Sequence, residues 1–166
     1  MNQQNDINDK MRAILVDWII EVHYRYRFKR KTLLQTIMII DLYLSKKSIS
    51  KINFQLLGIA SLFISCKENE MYYPGAKEFV NMTNNAYTKR ELLNIEAYVL
   101  NVLNFQILSS SADEFYNILS KCFDFNKEQK FLGEYFMDSS LIIYSMLKYR
   151  PSIIAMACAY IVMKFY

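Results

Sequence analysis

Glycine and proline are scarce in this chain of 166 residues. It contains three glycines and two prolines, whereas average usage would supply roughly 20 of the two together. So few turn-forming residues argue against a sandwich or barrel of many strands and favour long helices joined by short connections. The glycines, Gly58, Gly75 and Gly133, also lie too far apart for a glycine-rich phosphate loop or a dinucleotide-binding motif.

Histidine and cysteine, the residues that most often ligate metals or act as nucleophiles, are equally limited. His23 is the single histidine, so a site with two histidine ligands is excluded and a serine–histidine–aspartate triad would depend on this one residue. The three cysteines are an odd number and widely spaced, which favours small core residues over nucleophiles or disulfides. We therefore expect no catalytic residue, no metal site and no cofactor, and predict that the protein is not an enzyme.

Long apolar runs and targeting segments are missing as well. The apolar uncharged run 52–66 and the slightly longer uncharged run 97–112 are both shorter than the roughly 20 residues that a membrane span requires. The first ten residues are polar and show no signal or transit pattern. We expect a protein of the nucleus and cytoplasm, in a reducing environment, with no membrane partner. The net charge of +4 is too small by itself to imply nucleic acid.

The patterns that remain are helical. Apolar residues from Met11 to Tyr26 recur at spacings of three and four, which predicts a helix over 8–27. Thr88 and Glu91 have the spacing of a capping box at a helix start. The complete prediction has helices at 8–27, 31–46, 50–68, 88–103, 111–124, 127–147 and 152–165, with a linker at 104–111. A further short helix follows the loop at Pro74 and Gly75 and ends at residue 82. This pattern predicts an all-α fold.

The two groups of helices show a weak internal repeat. A shift of 97 residues aligns four positions: Asp41 with Asp138, Gly58 with Ala155, Ala60 with Ala157, and Lys67 with Lys164. Each half then has an acidic residue in one long helix, followed by an apolar helix with small residues. This repeat suggests a five-helix unit followed by a copy that stops after three helices.

Several charged residues interrupt apolar helical segments, where an unpaired charge is costly. Arg12 lies in the first predicted helix and Asp41 in the second, so the two could pair across the helices. Glu96 has leucines and valine at helical spacings around it. Lys67 either complements the dipole of its helix or, together with Glu96, presents charge to a partner protein. From spacing alone, both interpretations stay open.

One segment, residues 23–31, is basic and aromatic together. Five of its nine residues are Arg or Lys, and Tyr24, Tyr26 and Phe28 alternate with them. Such a segment would suit nucleic acid, because cations neutralise phosphates and rings stack on bases. Alternatively, the cations complement the negative end of a helix dipole while the rings pack on the core. The second interpretation is favoured, because the rest of the chain has no further basic stripe.

The residues from Met11 to Val22, MRAILVDWIIEV, resemble the opening of the cyclin box of mitotic A/B-type cyclins. The resemblance continues through the AYTK segment that begins at Ala86, and it resumes at residues 131–134 and 149–155. It covers residues 7–107 strongly and 110–166 moderately. The first block followed by AYTK at this distance is a highly specific signal.

The resemblance implies an all-α cyclin fold of five-helix bundles, each built around its third helix. We expect a complete N-terminal cyclin box over 1–108 and a partial C-terminal box of about three helices over 109–166. The resemblance also implies a function in cell-cycle control. The protein would be a regulatory subunit that binds and activates a cyclin-dependent protein kinase and recruits substrates through a hydrophobic docking groove.

The resemblance further implies three sets of site residues. A structural ion pair joins Arg12 and Asp41. The kinase-binding residues are Lys67, Glu96, Leu100, Phe105 and Ile107. The docking groove for substrates or inhibitors with Arg-x-Leu motifs consists of Met11, Ile14, Leu15, Trp18, Glu21 and Gln55, and in it Glu21 would bind the arginine of the motif.

The sequence departs from the family pattern in several places. The family usually has an aromatic residue and two acids where this chain has residues 68–70, Glu-Asn-Glu, and the change could weaken or redirect kinase pairing. Leu42 replaces a usual arginine, and Ser110 replaces a usual proline. Because the second box is partial, we expect partly exposed apolar residues on its last helix and self-association unless a partner covers them. These residues are Ile153, Ile154, Tyr160, Ile161 and Phe165.

Two alternative functions stay open. A pseudo-cyclin scaffold would keep the fold and the partner but lose kinase activation, which the departures at 68–70 and the partial second box allow. A cyclin-fold transcription factor resembling factor IIB would bind nucleic acid, and residues 23–31 are its single support.

Overall fold

The structure, a computed structural model, describes residue 4, residues 6–107 and residues 111–166. Across these residues the chain forms helices, turns and loops and no strand, which confirms the all-α prediction. The helices are α1 (Asp9–Tyr26), α2 (Arg30–Lys46), α3 (Lys51–Asn69), α4 (Ala76–Met82), α5 (Lys89–Val102), α6 (Ala112–Cys122), α7 (Lys127–Ile142), a 3-10 helix (Tyr144–Lys148) and α8 (Pro151–Phe165). They belong to two compact units, Met1–Leu108 and Ser109–Tyr166. Ser110 lies outside the described residues.

The first unit is built around α3, which is buried on almost all sides. Every residue from Leu56 to Cys66 is buried, and α1, α2, α4 and α5 all pack against this helix. Gly58 allows α1 to approach closely, because a Cβ atom at this position would lie 2.7 Å from Leu15 Cδ1. The small residues of α3 therefore permit dense packing of its neighbours.

Local side-chain signals set most helix boundaries near their predicted positions. The side chain of Asn8 caps α1 by accepting a hydrogen bond from the backbone N–H of Met11 at 2.9 Å. Thr88 and Glu91 form the predicted capping box at the start of α5. Pro151 is the first residue of α8, where its missing N–H has no helical partner to lose.

The helix predicted over 127–147 is shorter in the structure. α7 ends at Ile142 and a 3-10 helix follows, with Ile143 in an extended conformation between them. The Ser140 hydroxyl donates to the carbonyl of Met137 at 2.6 Å, and it competes there with the backbone. Two consecutive β-branched isoleucines further lower the helix propensity at this point.

The second unit is built from α6, α7 and α8 around Tyr116. The ring of Tyr116 is buried and crosses α7 at Gly133, where a Cβ atom would lie 1.9 Å from the tyrosine hydroxyl oxygen. That hydroxyl donates to the carbonyl of Gln129 at 3.0 Å. The core of this unit also contains Phe125, Met137, Ala155, Cys158, Ala159 and Val162.

α8 has one buried face and one exposed face. Ala155, Cys158 and Ala159 are buried in the core of the second unit, whereas Ala157 is exposed. Ile153, Tyr160, Ile161 and Phe165 are exposed, and the half-buried Ile154 packs against the core. The expectation of partly exposed apolar residues on this helix is therefore confirmed.

Candidate functional site

Arg12 and Asp41 form the ion pair that the sequence suggested between the first two helices. Arg12 is 1% exposed, and its Nε donates to Asp41 Oδ1 at 2.6 Å while Nη2 donates to Oδ2 at 2.7 Å. A bidentate contact of this kind fixes both the distance and the orientation of the two groups. The pair therefore holds α1 against α2.

Lys67 and Glu96, which the sequence placed at the edges of apolar faces, bind each other. Lys67 Nζ donates to Glu96 Oε1 and so joins the last turns of α3 to the middle of α5. The ammonium group also lies 4.3 Å from the centre of the Phe63 ring, a distance that allows a cation–π interaction. Lys67 is exposed, whereas Glu96 is 7% exposed. The pair thus presents one positive group to solvent and holds it with a buried carboxylate.

Leu100 and Phe105 extend this surface towards the end of α5. Leu100 follows Glu96 by four residues, so the two side chains lie on the same face of the helix. The backbone N–H of Phe105 donates to the carbonyl of Leu100 at 2.9 Å, which turns the chain sharply after α5. Leu100 is half-buried and Phe105 is 65% exposed.

Phe105 adopts a backbone conformation that is unusual for an aromatic residue. Its φ is 57° and that of the preceding Asn104 is 50°. Asparagine tolerates this left-handed region, but a residue with a bulky side chain enters it at a cost of about 1–2 kcal/mol. Strained residues of this kind concentrate at functional sites. The turn keeps a large aromatic side chain exposed beside Leu100.

Gln35 connects this surface to the residues that follow Lys67. Its side-chain nitrogen donates both to the carboxylate of Glu68 and to the carbonyl oxygen of Ile107, the latter at 3.2 Å. Its side-chain oxygen accepts from Asn69 Nδ2. The five kinase-binding positions of the sequence analysis therefore lie together where α3 and α5 meet.

Glu70 is bound by the first turn of α2. Its Oε1 accepts hydrogen bonds from the backbone N–H of Lys29 at 2.7 Å and from the hydroxyl of Thr32. Lys29 is the N-cap of α2 and makes no side-chain capping bond of its own. Since the N–H groups of a helix N-terminus carry partial positive charge, a carboxylate at this position stabilises α2. Residues 68–70 thus make their polar contacts within the first unit.

The six residues assigned to the docking groove differ widely in exposure. Ile14 and Glu21 are exposed, Met11, Trp18 and Gln55 are half-buried, and Leu15 is buried. Leu15 packs against Gly58 of α3, so its side chain lies in the contact between α1 and α3. The other five side chains reach the surface.

A cleft of about 100 Å³ lies between the C-terminal half of α1 and the end of α4. Two of the assigned groove residues, Trp18 and Glu21, line it. The other lining residues are Val22, Arg25, Tyr26, Asn81, Met82 and Asn84. The cleft thus has an apolar wall from Trp18 and Met82, and both an acidic and a basic side chain at its rim.

Sequence reasoning missed two parts of this site. Gln35 is a polar residue in a stretch of α2 whose neighbours are all buried, and a buried amide needs partners, so its hydrogen-bonding role could have been inferred. The contribution of residues 81–84 to the cleft leaves no signal in the sequence, because it depends on how α4 packs beside α1.

The described residues contain no cluster of three or more His, Cys, Asp or Glu side chains that could hold a metal ion. Within the same residues, every helix is too short or too polar to cross a membrane. His23 is buried, and its Nε2 lies 3.2 Å from the carbonyl oxygen of Lys29, which is a structural contact at the corner between α1 and α2.

Comparisons with known proteins agree with this architecture. Residues 1–108 match the family model described as "Cyclin, N-terminal domain", and residues 111–166 match "Cyclin, C-terminal domain". The chain is 37% identical over 160 residues to Cyclin-B2-1 of Oryza sativa subsp. japonica, which corresponds to 96% of this chain and 38% of the rice protein. It is 38% identical over 155 residues to G2/mitotic-specific cyclin-B2 of Anguilla japonica, which corresponds to 93% and 39%. The chain therefore spans less than half the length of these relatives.

Solved structures show the same fold. A viral cyclin from herpesvirus saimiri superimposes with a TM-score of 0.88 at 19% identity, over 98% of this chain and 72% of the viral chain. A chain of the yeast RNA Pol II CTD kinase CTDK-1 complex gives a TM-score of 0.82 at 16% identity, over 98% of this chain and 58% of that chain. These superpositions confirm the predicted cyclin fold. The two family models, which match residues 1–108 and 111–166, show that this chain belongs to the cyclin family.

Proposed function

We propose that this chain is a regulatory subunit that binds and activates a cyclin-dependent protein kinase and has no catalytic activity of its own. The observation that carries the proposal is the surface where α3 and α5 meet. There an exposed lysine, held by a buried glutamate, lies beside an exposed aromatic residue and two half-buried aliphatic residues. We call this the α3–α5 surface; it consists of Lys67, Glu96, Leu100, Phe105 and Ile107.

The physical logic is a shift in the conformations of the partner. A rigid surface that buries apolar area against one position of a mobile kinase helix stabilises that position relative to all others. In the active position the lysine and glutamate of the kinase can pair and the activation loop reorders. The cyclin-fold chain therefore supplies binding free energy and no reacting group.

A charge swap on the α3–α5 surface tests this proposal. In the double variant Lys67→Glu, Glu96→Lys the two side chains still attract each other, so the far-UV circular dichroism should not change. The exposed group becomes negative, however, and juxtaposed like charges disfavour binding. The test uses a cyclin-dependent kinase that the unmodified chain activates. With the double variant in its place, we expect the activity of this kinase to fall by about tenfold or more. Lys51→Glu, an exposed lysine at the opposite end of α3, is the matched control.

Three results of this experiment separate the possible functions. Unaltered activation by the double variant would contradict the role of the α3–α5 surface. Kinase binding without activation by the unmodified chain would identify a pseudo-cyclin scaffold. The absence of binding to any cyclin-dependent kinase would contradict the whole proposal.

We further propose that α1 recruits substrates or inhibitors that carry Arg-x-Leu motifs. The cleft beside α1 offers Trp18 and Met82 to the leucine and Glu21 to the arginine, a charge-assisted contact that is shorter and stronger than a neutral one. Met11→Ala combined with Trp18→Ala should weaken the binding of such a peptide, measured by fluorescence anisotropy. Because Trp18 is half-buried, a circular dichroism spectrum of the double variant must show that the fold persists. Unchanged peptide affinity in a folded variant would reject this groove.

A further inference from the structure

The basic and aromatic segment at residues 23–31 separates into two parts in the structure. Phe28 belongs to the core, because its buried ring stacks on the buried Phe79 at 6.3 Å between ring centres, and Tyr26, which is 39% exposed, stacks on Phe28 at 5.8 Å. The ring of Phe28 is therefore not free to stack on bases, as a nucleic-acid site requires, whereas Tyr24 stays 59% exposed. The cations behave differently: Arg25, Arg27, Lys29 and Lys31 are exposed around the corner between α1 and α2.

Arg25 is the cation of this corner that lines the cleft. It lies on α1 one turn after Glu21, and both side chains border the same space. Although residues four apart on a helix are close enough to pair, the structure shows no ion pair or hydrogen bond between Arg25 and Glu21, or between either side chain and any other described residue. The rim of the cleft thus offers one available negative group and one available positive group.

The spacing of these two groups specifies the ligand that would satisfy both. Four residues of α-helix rise about 6 Å, which is the length of about two residues of an extended peptide. A peptide whose arginine binds Glu21 would therefore reach Arg25 with a side chain two positions away. Because Trp18 lies on the other side of Glu21 along α1, the leucine and the Arg25-binding residue lie on opposite sides of the arginine.

We infer that the cleft selects docking peptides in which an acidic residue precedes the arginine by two positions, in the pattern acidic-x-Arg-x-Leu. The inference rests on the proposed docking function of α1 and names the substrate class that this groove prefers. Arg25 would bind the acidic side chain directly. The remaining cations of the corner would raise the rate of encounter with acidic peptides through their long-range field.

Peptide binding to the full chain tests the inference. The probes are a fluorescent Glu-x-Arg-x-Leu peptide, the same peptide with Ala or Lys in place of Glu, and one with Glu placed two positions after the leucine. We expect the first peptide to bind about threefold more tightly than the Ala peptide at low salt, as an exposed ion pair allows. The peptide with the misplaced Glu should gain less. About 0.5 M salt, roughly three times the physiological ionic strength, should reduce the preference by screening the charges.

The variant Arg25→Glu should reverse the preference, so that the Lys peptide binds more tightly than the Glu peptide. Arg90→Glu, which makes the same change of charge at an exposed position of α5, should leave the preference intact.

Equal binding of the Glu, Ala and Lys peptides would overturn this inference and leave the docking groove standing. Failure of every peptide to bind would overturn the docking function itself. Salt-dependent binding of single-stranded DNA that Arg25→Glu abolishes, without any preference among peptides, would assign the corner to nucleic acid and also overturn the inference.

Discussion

The guanidinium group of Arg12 meets the carboxylate of Asp41 in a two-point contact, with N···O distances of 2.6 and 2.7 Å. The two residues lie on different helices, and the arginine is almost completely buried. Burial of this charge demands compensation, and Asp41 supplies two charge-assisted hydrogen bonds to it.

Removal of Asp41 should consequently destabilise the first unit strongly. Asp41→Ala leaves a buried guanidinium without its carboxylate, and we expect the free energy of unfolding to fall by about 3–5 kcal/mol. Urea denaturation followed by the fluorescence of Trp18, the single tryptophan, measures this change. The double variant Arg12→Met, Asp41→Leu should recover most of the loss, because no buried charge remains. A double variant as unstable as Asp41→Ala would show that packing, not charge compensation, explains the effect.

The Arg12–Asp41 pair also shows what kind of information the sequence carried. An ionisable residue in an apolar helix stripe signals burial, and burial demands a partner, so the pair could be suggested before the structure was known. The Lys67–Glu96 contact had no comparable signal, because a lysine in a last helical turn already has a sufficient explanation in the helix dipole. Helix boundaries were predictable where a capping side chain marked them.

The internal repeat gains a structural parallel that the alignment alone did not offer. Lys67 lies over the ring of Phe63 at 4.3 Å, and Lys164 lies over the ring of Tyr160 at 5.8 Å. Both aromatic residues precede their lysine by four positions, so the same helix geometry produces each contact. The packing around α3 and α8 could not be predicted in such detail, since it depends on neighbouring helices that the pattern of apolar residues does not specify.

Substitution of Gly133 tests the packing of the second unit, and the same substitution at Gly75 serves as the control. At Gly133 an added methyl group would overlap the hydroxyl and ring of Tyr116, whereas at Gly75 it would meet no atom within 4 Å. Gly133→Ala should therefore lower stability by about 1–3 kcal/mol through overpacking, and Gly75→Ala should change it by less than about 0.5 kcal/mol. Thermal unfolding monitored by far-UV circular dichroism compares the two. Equal stability of both variants would show that Tyr116 does not fill the space above Gly133.

Glu70 should stabilise the start of α2 although it belongs to the end of α3. Glu70→Ala removes the acceptor of the Lys29 N–H and of the Thr32 hydroxyl, and loss of a capping acceptor typically costs about 1 kcal/mol. A double-mutant cycle with Thr32→Val isolates the contact between the two side chains, and Glu78→Ala, an exposed glutamate on α4, is the control. If Glu70→Ala were as mild as Glu78→Ala, residues 68–70 would be available to a kinase partner.

The capping box at the start of α5 predicts a dependence of stability on acid. The Thr88 hydroxyl, and secondarily the Thr88 backbone N–H, hold the pKa of Glu91 below its ordinary value of 4.5. Because the pKa is lower in the folded state than in the unfolded state, this contribution is present above the unfolded pKa and is lost as the pH falls through the folded pKa. The difference in free energy of unfolding between the unmodified chain and Glu91→Gln should therefore shrink as the pH falls. Urea denaturation repeated from about pH 6 to about pH 3, a range that spans the ordinary pKa values of carboxyl groups, measures this change. A difference that stays constant with pH would show that the carboxylate does not make these bonds.

The left-handed turn at Phe105 should separate stability from function. Phe105→Ala and Phe105→Gly both remove the exposed ring, but only glycine accepts a φ of 57° without steric cost. After allowance for the greater freedom of glycine in the unfolded chain, we expect the glycine variant to be about 0.5–1 kcal/mol more stable than the alanine variant. Both should lose kinase activation to the same extent, because the side chain proposed to contact the kinase is absent from each.

Asn104→Gly, at a φ of 50° that asparagine tolerates, should gain less stability and keep activation. An alanine variant as stable as the glycine variant would argue against strain at this turn, and full activation by both would remove Phe105 from the α3–α5 surface.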